Sequence, residues 1–225
     1  MKQIITASLL SFGLAATAQA EWKFGIGAGV GVFDIDGDLS EGGVSGDFEY
    51  DTGDIESAFG LNGYAANGPW TIKAFGSYLE VEADQDAGNV TIPDLTFERT
   101  TFESTVGYTY ASDSDWKLGV FGGLKYVDID ISAGGAGGDD DFIDVVIGAT
   151  ASYMFAEKWS WDSMVDASFG DSEGTYGVTS GVTWRFAKNW STSAMLAWET
   201  YEYDVEDSTL DADEIVLGLG IMYHF

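Results

Sequence analysis

The last twelve residues, 214–225, read EIVLGLGIMYHF and place a large apolar side chain at every second position. Because side chains alternate between the two faces of a β-strand, this segment predicts a strand with one continuous apolar face. That face consists of Ile215, Leu217, Leu219, Ile221, Tyr223 and Phe225. The opposite face carries mostly small or polar residues. About 9–11 residues of tilted strand are enough to cross a membrane, so this segment is long enough to do so.

The same alternation recurs along the chain and predicts ten strands, with eight as the alternative count. The strands are expected near 22–33, 55–66, 70–81, 96–111, 116–129, 142–155, 159–169, 175–186, 190–203 and 214–225. Five of them open on a tryptophan, and four of these openings follow a short turn. The residues are Trp22, Trp70, Trp116, Trp159 and Trp190. We interpret them as an aromatic girdle at one end of the strands, at one membrane interface.

The face opposite the apolar one carries the charges of the predicted strands. These residues are Lys23, Lys73, Arg99, Glu103, Lys117, Lys125, Asp162, Asp166, Arg185 and Glu199. If the apolar face met water, the exposed apolar surface would exceed what a soluble monomer tolerates. The conflict is resolved if the apolar face contacts lipid outside the barrel and the charged face lines its lumen. The sequence therefore predicts an all-β fold, a closed antiparallel up-and-down transmembrane β-barrel.

The C-terminal strand carries a further pattern, formed by Gly220, Tyr223 and Phe225. It resembles the C-terminal insertion signal of Gram-negative outer-membrane β-barrel proteins, and the strand count is similar to that of omptins. The resemblance implies a cell outer membrane location, contact with lipid and lipopolysaccharide, and insertion by the barrel-assembly machinery. It also implies short turns in the periplasm and long loops outside the cell.

Residues 1–20 have the three parts of a secretory signal: a basic start, an apolar run and the small-residue site Ala18-Gln19-Ala20. Cleavage is expected to leave 21–225 as a single barrel domain. Removing Lys2 changes the net charge from −29 to −30, which excludes nucleic acid as a partner. The absence of cysteine excludes disulfides and thiolate metal sites.

Thirty of the 38 acidic residues fall in five predicted connections, at 34–56, 80–94, 128–144, 171–173 and 199–214. These connections are expected to be acidic extracellular loops. Their densest acidic runs suggest weak calcium or magnesium sites, in the range of about 0.1–1 mM. The runs consist of Asp34, Asp36 and Asp38, and of Asp139, Asp140 and Asp141. The alternative is a negative surface without any ion site, and no other cofactor is expected.

Catalysis is not expected. The only histidine, His224, lies at the end opposite the acidic connections, so the catalytic residues of omptins have no counterpart here. Asp162 and Asp166 are four residues apart on one strand face, too far for a carboxylate dyad, and are expected to pair with lysine or arginine across the lumen. The predicted function is a non-enzymatic, monomeric surface barrel for envelope structure, surface binding or adhesion. The alternative is a narrow, cation-preferring, porin-like channel.

Overall fold

The computed structural model describes residues 21–41, 44–87, 90–133, 136–205 and 208–225. A short 3-10 turn, Thr52–Asp54, separates the second and third strands. The strands are β1 Lys23–Glu41, β2 Val44–Tyr50, β3 Ile55–Asn67, β4 Trp70–Ala87, β5 Val90–Ser112, β6 Trp116–Ala133, β7 Ala136–Ala156, β8 Trp159–Gly170, β9 Gly174–Ala187, β10 Trp190–Val205 and β11 Ser208–His224. Within these ranges, no helix is both long and apolar enough to span a bilayer.

The strands form one closed antiparallel sheet in which β3 to β11 pair in chain order, β1 pairs with both β2 and β3, and β11 pairs with β1. Strand β1 pairs with β3 along residues 23–29 and with β2 along residues 35–41. Strands β2 and β3 therefore share one position in the wall. The eleven strands make a ten-position barrel, which confirms the predicted fold class and strand count.

The strand register separates an outer face from an inner face. At the closing seam, Ile26 pairs with Tyr223 and Val30 with Leu219, and these apolar side chains point outward. Leu61, which pairs with Ala28, is 58% exposed on the same outer face. A belt of exposed apolar side chains therefore surrounds the barrel, as the alternation predicts.

Beyond the belt, toward the long hairpins, the outer face changes from apolar to acidic. On β6, exposed Val120 and Leu124 are followed on the same face by exposed Asp128 and Asp130. Strands β1, β4, β7, β10 and β11 make the same change. We call this acidic part of the barrel the outer extension.

The inner face of the outer extension is apolar and holds the main hydrophobic core. On β6 its residues are Val127 and Ile129, which are fully buried. Tyr50 Oη donates a hydrogen bond to Leu95 O (3.2 Å). Burial, assisted by the negative charge of Asp54, raises the pKa of the Tyr50 phenol. We call this core the outer plug; it contains Ile35, Phe48, Tyr50, Leu79, Val81, Leu95, Phe97, Val127, Ile129, Phe142, Tyr201, Tyr203, Val205, Leu210 and Ala212.

The outer extension corrects the prediction of long acidic loops. Most described residues of 34–56, 80–94, 128–144 and 199–214 lie in strands, and only 171–173 is a connection of the predicted kind. The predicted strands ended too early because their outward positions turn acidic while their inward positions turn apolar. The acidic residues therefore lie mostly on a regular sheet surface.

The opposite end of the barrel has the short predicted turns. Gly68 has φ +58° in the turn between β3 and β4, a conformation that favours glycine. The Asp113 carboxylate accepts hydrogen bonds from the backbone N–H groups of Asp115 (2.9 Å) and Trp116 (2.7 Å). These bonds, the one from Trp116 most strongly, lower the pKa of Asp113.

Four of the five predicted girdle tryptophans pack across strands at this short-turn end. Ring centroids are 4.8 Å apart for Trp70 and Tyr108 and 4.5 Å apart for Trp116 and Tyr153. The pairs Trp159–Trp184 and Trp190–Tyr223 are 5.5 and 5.0 Å apart, and Trp22, which directly precedes β1, stacks on Phe24 of that strand. Such aromatic pairs stabilise a sheet beyond their buried area.

Candidate functional site

Two ion pairs cross the lumen directly below the outer plug. Arg99 on β5 contacts Glu214 on β11, with Arg99 Nη2 and Glu214 Oε2 2.6 Å apart. Lys125 on β6 contacts Glu199 on β10 through its ammonium group. Both pairs connect opposite walls of the barrel. We call these four side chains the septum.

The septum neutralises a pair of like charges that the strand register brings together. Glu199 and Glu214 are direct cross-strand partners on β10 and β11, an arrangement that destabilises a sheet when the charges are uncompensated. The opposite wall supplies one cation to each of them. Arg99 also lies over the Tyr201 ring, with Cζ 5.1 Å from the ring centroid. The septum and the outer plug together fill the outer half of the lumen.

Asp162 does not form the predicted ion pair across the lumen. Its carboxylate accepts hydrogen bonds from Ser152 Oγ (2.6 Å) and Ser160 Oγ (2.8 Å), which lie on neighbouring β7 and on β8. Among the described residues, the ion pairs within 4 Å are the two of the septum. The prediction for Asp162 and Asp166 was therefore wrong, because local hydroxyl donors satisfy Asp162 without a charged partner.

The other predicted lumen charges occupy inner-face positions at different depths. Glu103 is the direct cross-strand partner of Lys125, and Asp166 lies on the inner face of β8, where it pairs with Gly148. Lys23, Lys73, Lys117 and Arg185 lie toward the short turns and are exposed. Sequence reasoning missed Glu214 and Asp144 as lumen charges, although both fall on the polar face of their strands. Asp144 is buried and accepts a hydrogen bond from Ser172 N (3.1 Å).

His224 links three strands at the short-turn end. Its Nδ1 is 2.8 Å from Tyr64 Oη on β3, and its Nε2 is 2.9 Å from Ser191 Oγ on β10. The Tyr64 ring reaches His224 across Gly25 of β1, where any Cβ would collide with the ring. Both imidazole nitrogens are therefore engaged in a contact that spans the β1–β11 seam. This arrangement favours a structural role for His224.

The outer face of the outer extension carries carboxylates in direct cross-strand register. One row crosses β4, β5, β6 and β7, and the other crosses β10, β11, β1 and β2. The first row is Glu80, Glu98, Asp130 and Asp139, and the second is Glu202, Asp211, Asp38 and Asp47. We call these eight side chains the acidic collar.

Contacts within the collar show crowding of like charges. A hydrogen bond with Asp47, supplemented by slight burial and by repulsion from Asp47 and Asp211, raises the pKa of Asp38. In the other row, Tyr78 Oη lies 3.0 Å from Glu80 Oε2 and 3.1 Å from Glu98 Oε2, and so bridges the two carboxylates. The folded state therefore opposes ionisation of Asp38.

The predicted metal-binding aspartates do not converge on one site. Asp34, Asp36 and Asp38 are exposed on β1, whereas Asp139, Asp140 and Asp141 are exposed on β7. Asp36 and Asp38 line an open concavity of about 870 Å³ together with Asp47, Asp211 and Asp213. In the described ranges, no group of three or more His, Cys, Asp or Glu residues has the geometry to hold a metal ion.

The predicted insertion signal lies along the seam between β1 and β11. Its residues are Gly220, Tyr223 and Phe225, and the last two lie at the short-turn end of the seam. Tyr223 packs edge-on against both Trp190 and Phe225, with ring centroids 5.0 Å apart in each pair. Phe225 N donates a hydrogen bond to Phe24 O (3.0 Å), and its side chain is 73% exposed. Gly220 pairs with Gly29 across the seam.

We expect Phe225→Asp to lower the amount of assembled barrel in the outer membrane several-fold, because it places a charge at the end of the outward apolar row. The measurement is the fraction that migrates as the compact form on an unboiled detergent gel of outer membranes. Phe155→Asp, at the short-turn end of β7, is the matched control. Equal losses in both variants would contradict a specific signal at the C-terminus.

Comparison with known proteins gives one family. The family model "Outer membrane protein beta-barrel domain" matches residues 4–225. The outer membrane protease OmpT from Escherichia coli has a similar structure, with a TM-score of 0.63 and 14% identity, over 93% of this chain and 99% of that chain. A comparison with curated proteins gives no match.

Two other outer-membrane proteins are more distant in structure. Neisserial surface protein A matches with a TM-score of 0.43 and 12% identity, over 92% of this chain and 100% of that chain. Ail, the attachment invasion locus protein of Yersinia pestis, matches with a TM-score of 0.41 and 12% identity, over 91% and 99%. At 14% identity the similarity to OmpT shows the fold alone.

Proposed function

Because the chain belongs to the outer-membrane β-barrel family, we propose that it is a non-enzymatic surface barrel whose acidic collar binds divalent cations outside the cell. These cations would link the collar to anionic envelope components such as lipopolysaccharide. The family places short turns in the periplasm and long hairpins outside. The outer extension with its collar would therefore project from the cell, next to the charged surface of the membrane.

The cross-strand register of the collar carries this proposal. Carboxylates at directly opposed positions repel one another at neutral pH, and in the part of the chain that the structure describes no lysine or arginine lies on the outer face beside them. Divalent cations relieve such repulsion and can at the same time bind phosphate groups of a neighbouring molecule. Because no single group has tight ligand geometry, affinity would be that of weak extracellular sites, about 0.1–1 mM.

The filled lumen supports a surface role over the alternative of a narrow, cation-preferring channel. The septum and the outer plug occupy the outer half of the lumen, and small barrels are usually filled by side chains. Planar bilayers containing the purified protein should therefore show no stepwise conductance. The engagement of His224 with Tyr64 and Ser191 supports a non-enzymatic role. Insertion by the barrel-assembly machinery, after cleavage of residues 1–20, and a monomeric state belong to the same proposal.

We expect millimolar calcium to raise the thermal unfolding temperature of the refolded barrel in neutral detergent, by mass action on the folded state. Asp38→Asn/Asp47→Asn/Asp211→Asn should reduce this shift. Asp139→Asn/Asp140→Asn/Asp141→Asn, which removes Asp139 of the other row and its two neighbours, should also reduce it. The matched control is Asp115→Asn/Glu157→Gln, which removes two exposed acids at the short-turn end. The measurement is the unfolding temperature from tryptophan fluorescence.

The pH dependence provides a second test of the same proposal. Because the pKa of Asp38 is raised in the folded state, ionisation of Asp38 opposes folding. Asp38 therefore lowers the free energy of unfolding more and more as pH rises through the acid range. The calcium shift should be present at pH 7 and absent at about pH 3, where the carboxylates are protonated. If sodium chloride of equal ionic strength gives the same shift as calcium, screening explains it and the collar binds no cation.

A further inference from the structure

The basic side chains that the septum does not use gather at the short-turn end of the lumen. Lys23 is the first residue of β1, Lys117 is the second of β6, and Arg185 is the third from the end of β9. Lys73, the fourth residue of β4, lies one step deeper. All four are exposed and occupy separate positions around the wall. We call them the basic rim.

The register places the basic rim on the inner wall. Lys73 pairs with Tyr64, the inner-face residue that contacts His224, and Lys117 pairs with Ser152, which donates to Asp162. Arg185 lies two residues beyond Thr183, which pairs with the inner-face residue Ser160, so Arg185 is on the same face. In a chain with a net charge of −29, this mouth is a local region of positive charge.

The acids near the basic rim neutralise it only partly. On the inner wall at this level, Asp162 already accepts two serine hydroxyl groups. Asp113, Asp115 and Glu157 lie in the short turns, and Asp113 is held by backbone N–H groups. Glu103 lies deeper, as the direct cross-strand partner of Lys125. Four cations therefore share this part of the inner wall with two carboxylates, Asp162 and Glu103, and Glu103 lines the same cavity as Lys73.

Hydroxyl donors accompany the cations inside the mouth. Thr71, Thr105 and Thr150 line a cavity of about 120 Å³ together with Lys73 and Glu103. Ammonium, guanidinium and hydroxyl groups together bind phosphate oxygens well, because charge-assisted hydrogen bonds are the strongest available to a phosphate. A carboxylate ligand would make fewer such bonds.

The septum and the outer plug close the lumen above this region, so a ligand can reach the basic rim from the short-turn end. In this family that end faces the periplasm. We propose that the basic rim is a binding site for small phosphate-bearing molecules that enter the lumen from the periplasm. This role is independent of the acidic collar at the other end.

A phosphate group at this mouth could belong to a free molecule or to a phospholipid headgroup of the periplasmic leaflet. The inner-wall position of the rim favours the free molecule. Lys158 and Lys188, which lie in the short turns outside the inner wall, are better placed for headgroups. The two sets of cations therefore provide matched variants for the two sources.

The test measures binding of tripolyphosphate to the refolded full barrel by titration calorimetry, in maltoside detergent that contains no phosphate and at fixed ionic strength. Lys23→Gln/Lys117→Gln/Arg185→Gln should weaken binding by about tenfold or more, because three charge-assisted contacts are lost. Lys158→Gln/Lys188→Gln should bind like the unmodified protein. Compact migration on unboiled gels verifies that each variant is folded.

Equal weakening in both variants, or in neither, would overturn the proposal. The same titration in nanodiscs with and without phosphatidylglycerol separates the two sources of phosphate. If phosphatidylglycerol competes with tripolyphosphate in the unmodified protein but not in Lys158→Gln/Lys188→Gln, the lipid binds the turn lysines. That result would support a separate lumenal site for tripolyphosphate. If tripolyphosphate does not bind the protein in maltoside, the proposal of a phosphate site at the basic rim is overturned.

Discussion

Replacing Arg99 with methionine is expected to lower the free energy of unfolding by about 3–5 kcal/mol, because it leaves a buried carboxylate without its cation. The Glu214 side chain is 2% exposed, and its Oε2 is 2.6 Å from Arg99 Nη2. Its cross-strand partner is Glu199, so removal of Arg99 also leaves two like charges with one cation between them. The measurement is urea unfolding of the barrel refolded in lipid vesicles, followed by tryptophan fluorescence.

The double variant Arg99→Met/Glu214→Met tests the origin of this loss. Replacing both members of a buried ion pair by apolar residues is often neutral or stabilising, so most of the lost stability should return. Lys158→Met, in an exposed turn, serves as a control for removal of a positive charge. If the single and double variants lose the same stability, the loss arises from packing, and Glu214 does not depend on Arg99.

The ten-strand barrel could be predicted because the apolar belt repeats one signal in every strand. A period of two with large apolar residues identifies an outward face, and a tryptophan after a short turn marks each new hairpin. The seam partners Ile26 and Tyr223 both lie on that predicted face. Local alternation was therefore sufficient for the membrane-facing part of the wall.

The outer extension could not be identified by the same signal. On β6, the outward row continues from Tyr126 to Asp128 and Asp130, while Val127 and Ile129 turn inward. The strand period is unchanged, but the polarity of the two faces is exchanged. A search for outward apolar residues therefore ends where the acidic residues begin, and the remainder resembles loops.

The sequence predicts which face of the wall each lumen charge occupies, but it does not predict which charges form ion pairs. The alternation of side chains along a strand places Arg99 and Lys125 in the lumen, and this requires no information about the opposite wall. Which acid each cation meets depends on barrel diameter and stagger, because the ion pairs connect β5 with β11 and β6 with β10. Asp162, by contrast, is satisfied by serines on its own and neighbouring strands, and sequence proximity could have suggested this.

The exchanged polarity of the outer extension leads to the second large expected effect. Ile129→Asp should lower the free energy of unfolding by about 4 kcal/mol or more, because it removes a fully buried apolar side chain and leaves a charge without a partner. Ile129 is 0% exposed within the outer plug. Its neighbour Asp130 is exposed on the outer face.

Asp130→Thr is the matched control for Ile129→Asp. Because it changes an exposed residue one position away, we expect its effect to stay within about 0.5 kcal/mol. Urea unfolding gives the free energies, and proteinase K digestion of intact cells reports whether the outer extension has opened. Ile129→Asp should make this part of the barrel sensitive to protease while the apolar belt stays protected by lipid. If Ile129→Asp is as stable and protease-resistant as Asp130→Thr, water reaches position 129, and the outer half of the lumen is open.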